Sequence, residues 1–229
     1  MPATMIEIAE ETTPKRSFAW VIDWPGWCRS GKDGSLAREA LLAYRARYEA
    51  VADLAGLTLP AIDVALVDVV ESVEGGSGTA FGVPSAITGR DRQRVSAKEA
   101  ERLAAIVAAA WVVFDRVAVR APGELRKGPR GGGRDRDPMI GHVVGADHAY
   151  AREIGIRLPE PDPTDRQAVV AERAAVLELL RSPSDGSPLA DRRWPQRYAA
   201  RRIAWHALDH AWEMEDRSGP APEEGRSPR

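Results

Sequence analysis

The sequence predicts an α+β fold: a small mixed α/β N-terminal domain followed by an antiparallel four-helix bundle. Three observations carry this. Short stretches rich in valine and aromatic residues, some alternating at the period of a strand, fall before residue 75. From Ser96 onward helix-start signals recur and no strand pattern interrupts them. Between the two regimes Gly75-Gly76-Ser77-Gly78 loosens the chain. The expected division is residues 1–90, residues 91–217 and a polar, disordered tail over 218–229.

Residues 5–9 and 17–22 read as two strands of a hairpin, with Phe18, Trp20 and Ile22 on one side and Pro14 in the connector. Trp24-Pro25-Gly26-Trp27 then breaks the pattern, because proline fixes its backbone angle and glycine tolerates nearly any. From Ser35, Leu41, Tyr44, Tyr48, Val51 and Ala55 recur at helical spacing, predicting one amphipathic helix that Gly56 can stop. Residues 63–73 alternate and are valine-rich, which predicts another strand.

Ser96 and Glu99 spell a capping box ahead of a strongly apolar helix. Asp137 with Pro138 predicts a second helix start, Thr164 with Gln167 a third, and Trp194-Pro195 a fourth that runs to about Arg217. Four helices joined by loops pack most simply as an antiparallel bundle.

Composition narrows the function. Of 229 residues 44% are hydrophobic and 29% charged, as in soluble globular proteins. A formal charge of −2 supplies no broad positive field for nucleic acid or anionic lipid, so a nucleic-acid partner is not expected. With Cys28 as the only cysteine no intrachain disulfide can form, and a reducing cytoplasm fits best. Residues 1–16 hold no apolar core of a signal peptide. The longest apolar run, residues 103–114, is too short to span a membrane and reads as a buried helix, so no membrane partner is expected.

The chemistry lies in the histidines. His206 and His210 are four apart on the fourth helix, so both project from one face, at bidentate metal spacing. His142 falls in the second turn of the helix at Pro138, where a facing helix can bring its imidazole to the same ion; alone, it is also compatible with a core or surface histidine. Three neutral imidazoles and an open position suit a catalytic metal site. His148, six residues on, is turned away from that face and is left out. Asp209 and Glu213 either accept the second ring proton of a ligand imidazole or sit as solvated charges. The basic loop with Arg126, Lys127, Arg130 and Arg134 leads into the helix of His142 and reads as an anion pocket or as a solvated loop. Cys28 has no neighbouring histidine and reads as structural. Trp111, Trp205 and Trp212 read as core aromatics; Tyr198 and Arg202 lie near the H-x3-H face.

Two segments, Ile140-Gly141-His142-Val143-Val144-Gly145-Ala146-Asp147 and Ala204-Trp205-His206-Ala207-Leu208-Asp209-His210-Ala211-Trp212-Glu213, resemble the DinB/YfiT-like superfamily of metal-binding four-helix bundles, over roughly residues 96–217. That family carries one histidine on its second helix and an H-x3-H pair on its last, which maps onto His142, His206 and His210. The resemblance implies a divalent metal, zinc or nickel foremost, and an enzyme of the thiol-dependent transferase or hydrolase kind acting on a small-molecule substrate with a low-molecular-weight thiol. The alternatives are a non-catalytic, metal-stabilised bundle and an antitoxin-like interaction module. Residues 1–90 are similar to a HicB-like domain through Asp23-Trp24-Pro25-Gly26-Trp27-Cys28-Arg29-Ser30-Gly31 and the helix containing Glu39-Ala40-Leu41, which implies an accessory or dimerising role and a homodimer as a partner state.

Overall fold

The alternation of the first twenty residues becomes an antiparallel hairpin, β1 (Ile6–Thr12) and β2 (Ser17–Val21), with Ile8 opposite Val21 and Thr12 opposite Ser17. The structure, a computed structural model, describes residues 5–60, 67–128 and 132–219; the beginning of the third expected strand, Arg130 and residues 220–229 of the expected tail lie outside them. Past the Trp-Pro-Gly-Trp turn the chain adds a strand the sequence reading does not contain, β3 (Cys28–Gly31), antiparallel to β2. At four residues it is too short for alternation to register. The last strand, β4 (Val67–Glu74), pairs parallel with β1 and slips by one residue between Ile8 and Ala9, so the sheet order is β3-β2-β1-β4.

A parallel partner for β1 demands a crossover, which the helical stretch supplies. It is two helices, not one: α1 (Gly34–Ala43) and α2 (Arg45–Leu54), broken at Tyr44. Tyr44 leaves helical angles while its side chain packs edge-on to Trp212 at 5.0 Å and beneath the Arg29 guanidinium at 4.0 Å. Tertiary packing overrides a propensity that periodicity alone extends through the break. Gly56 then takes a φ of +68°. The glycine stretch is likewise more ordered than its composition suggests: α3 (Ser77–Phe81) follows Gly76, whose N–H donates to the Thr79 hydroxyl at 3.0 Å. Thr79 also donates to the fully buried Glu11, which accepts the N–H groups of Ser85 and Ala86 at 3.1 and 3.0 Å.

The four C-terminal helices are α4 (Ala97–Arg120), α5 (Arg136–Glu153), α6 (Arg166–Leu180) and α7 (Gln196–Ser218). The capping box at Ser96 and Glu99 opens α4 as expected. Two starts are corrected. The cap residue of α5 is Asp135, which places Pro138 third in the helix, where its missing N–H costs nothing because the first four have no intrahelical partner. At α6 the cap is Asp165, accepting from Gln167 and Ala168 at 3.0 and 3.1 Å, while Thr164 bonds Asp162 instead. Helices α6 and α7 each pack on both α4 and α5. The architecture is therefore mixed α+β, and among the described residues no helix is long and apolar enough to cross a membrane.

The sheet region braces α7, the helix that carries two of the histidines. Trp27 is fully buried, stacks on Tyr48 at 5.1 Å and donates its indole N–H to the Leu41 carbonyl at 2.8 Å, while the Tyr48 hydroxyl donates to the Pro25 carbonyl at 2.7 Å. Burying a side chain of that size stabilises by roughly 3 kcal/mol. The turn thus held rigid lies against α7. A Cβ on Gly26, whose φ is +89°, would sit 2.8 Å from Leu208 Cδ1 and 2.9 Å from Ala204 Cβ. One buried cluster accordingly runs from Ile6 and Ile8 through Trp27 into α4 and α7.

Candidate metal centre

Helical geometry separates the two faces of α7. Ala204 and Leu208 share the face against the Gly26 turn, so His206 and His210, two residues offset, project from nearly the opposite one. That face meets α5, where His142 sits. The three ring centroids are 5.0, 4.9 and 4.6 Å apart, and one nitrogen from each ring falls within 4.8 Å of the others. His206 Nε2 is 3.2 Å from His142 Nε2. Two imidazole nitrogens bound to one tetrahedral zinc ion are separated by ~3.3 Å, so the donor set fits a single ion in kind and in spacing.

The electrostatics favour neutral rings, the form whose lone pair a metal requires. Burial, then the neighbouring His210 and the charge of Arg134, bring His142 down to about 4. Burial and the same His210 hold His206 well below the ordinary imidazole range. His210 is oriented from behind. Its Nδ1 lies 2.9 Å from the Glu213 carboxylate, which Arg217 holds from the other side at 2.6 Å, leaving Nε2 toward its partners. His206 Nδ1 is buried with no hydrogen-bond partner among the described residues.

Glu213 meets the imidazole of His210; Asp209 meets none of the three, since it accepts from Arg29 of β3 at 2.8 Å and ties α7 to the sheet. Two described basic residues of the loop turn to partners within the fold. Arg126 donates to the Asp216 carbonyl at the end of α7 at 2.6 Å, and Lys127 pairs with Asp135 at 2.5 Å. Arg134 is the one described member whose charge reaches the histidines. Cys28 is buried on β3 and burial pushes its thiol up, away from thiolate chemistry. His148 stands apart as expected, its Nδ1 2.6 Å from the buried Glu172 of α6. Trp111, Trp205 and Trp212 are buried, and Tyr198 turns its hydroxyl to the Ser85 carbonyl.

One neighbour of the centre is absent from the sequence reading. The Tyr150 ring lies 5.6 Å from that of His206, and its hydroxyl accepts from the buried Arg202 at 2.9 Å. The signal available was its position eight residues after His142, just over two turns along α5. No family model, curated protein or solved structure matches the chain, so the centre is read from its own geometry.

Proposed function

We propose that the chain is a divalent-metal-dependent enzyme of the thiol-transferase or hydrolase kind, with His142, His206 and His210 as the ligands. The observation that carries this reading is the convergence of three imidazoles from two helices, joined by no carboxylate among the described residues to complete a closed shell. A three-nitrogen set leaves a coordination position for a reactant, unlike the four-ligand sets of structural zinc. When bound, the ion supplies Lewis acidity, making a water or a low-molecular-weight thiol nucleophilic near neutral pH.

The chain's own residues do the rest. Glu213 fixes the tautomer of His210 by accepting its Nδ1 proton. Tyr150 accepts from Arg202 and so keeps its own O–H proton for an acceptor beside His206, a place to hold an oxygen of a small-molecule substrate. The aromatic walls around Arg202, formed by Trp205 and Tyr150 at 4.7 and 5.2 Å, limit water. In this reading α4 to α7 form the antiparallel bundle that the DinB/YfiT-like resemblance implies, with the sheet region as its HicB-like brace. Zinc or nickel suits imidazole donors.

The test loads the full chain with zinc or nickel and assays it against electrophilic substrates with a panel of low-molecular-weight thiols. The expected result is metal-dependent turnover that His210→Ala abolishes. Bound metal without turnover across the panel would favour the non-catalytic, metal-stabilised alternative.

A further inference from the structure

On the other side of α5 the structure holds a cavity of about 430 Å³ between α4, α5 and α6, within the range of small-ligand sites. Its α5 residues, Arg136, Ile140 and Val144, lie on the face nearly opposite His142, so it is separate from the histidine cluster. Phe114, Ile140, Val144 and Val169 supply apolar walls.

The charges around it do not balance. Three arginines and two aspartates line the cavity, and four of these five are already matched. Arg136 pairs with Asp137 at 2.7 Å, and Arg173 holds both oxygens of Asp115 at 3.1 and 3.0 Å, with its Nε 3.6 Å from Asp147 behind the wall. Arg166 has no hydrogen-bond or ion-pair partner for its guanidinium among the described residues. The adjacent Asp165 is occupied in capping the helix. Arg166 is also the first residue of α6, where the helix dipole adds to its positive charge.

From this we infer that the cavity binds a small amphipathic carboxylate, its apolar body against Phe114, Ile140, Val144 and Val169 and its head group on Arg166. A second copy of the chain is the poorer occupant. A two-fold interface would set this cationic rim against itself, together with Arg116 and Arg120, which line the adjoining hollow with Arg166.

Calorimetric titration of the full chain with decanoate, decanol and decylammonium tests the assignment. Decanoate is expected to bind saturably at one site, at least tenfold more tightly than the alcohol, with the amine weaker still. Arg166 is exposed, so Arg166→Gln keeps the fold and is expected to weaken decanoate at least tenfold; Val169→Trp, which fills the cavity, abolishes binding. His206→Ala binds decanoate as the wild type does, because this site does not rest on the metal reading. Equal affinity for decanol, an unchanged Arg166→Gln, or a dimer dispersed by Val170→Glu without carboxylate binding would overturn the proposal.

Discussion

Two histidines on α5, six residues apart, meet opposite surroundings. His142 faces α7, where its neighbours are two more imidazoles. His148 is buried against α6, where Glu172 accepts from it at 2.6 Å and Asp147 and Arg173 lie close by. The same side chain joins two further imidazoles close enough to hold one metal ion in one place and is half of a buried polar pair in the other. The difference is set by the partner helix: α7 brings lone pairs, α6 brings charge. An imidazole's role is thus decided by what completes its second nitrogen and what faces its first.

The largest expected effect that sharpens this contrast is at Asp147, on the α6 side. Burial raises its carboxyl to about 7, with Arg173 opposing. A folded value above the unfolded one means that the stability contribution is full below about 4 and is lost as pH rises through about 7. Asp147→Asn should therefore flatten the fall in unfolding free energy between pH 5 and pH 8, by on the order of a few kcal/mol at the upper end, read by chemical denaturation. Parallel curves for the two proteins would remove Asp147 from the account. Next is Glu172→Ala, which strands His148 in the core and should cost roughly 1–3 kcal/mol in chemical denaturation while leaving metal affinity unchanged. A loss of metal in that variant would merge the two environments that the comparison separates.

How much of this was legible in sequence varies with the range of the interaction. The spacing of His206 and His210 follows from the helical repeat and needed nothing else. His142 needed the resemblance as well, because nothing local says that α5 faces α7. Asp209 and Glu213 looked alike, each three residues, about one turn, beyond one histidine of the pair, and only a partner 180 positions away, Arg29, distinguishes them. The break at Tyr44 was hidden for the same reason: its cause is packing on Arg29 and Trp212, not local propensity. The helix starts at Asp135 and Asp165 missed by one or two residues because neighbouring side chains compete for the same role, and Thr164 went to Asp162.

Smaller effects test the finer links. Glu213→Gln weakens the acceptor behind His210 and should lower metal affinity about tenfold, read by competition with a chromophoric chelator, with the fold intact. Asp209→Asn, equally close in sequence, should leave that affinity unchanged. Smallest is Ser96→Ala, which removes the cap of α4 and should cost about 1 kcal/mol at neutral pH. The Ser96 N–H and hydroxyl hold Glu99 down to about 2. The part of the effect that runs through the Glu99 carboxylate is present above about 4.5 and lost as pH falls through about 2, so the gap between wild type and variant should narrow in thermal melts at strongly acid pH, leaving the pH-independent bond from the Glu99 N–H to Ser96 Oγ.

The most direct test of the central claim is elemental analysis of untagged protein, dialysed after exposure to zinc or nickel, beside His206→Ala. Close to one ion per chain in the wild type and almost none in the variant is the predicted result. Equal metal content in the two proteins, or none in either, would contradict a shared ion on His142, His206 and His210.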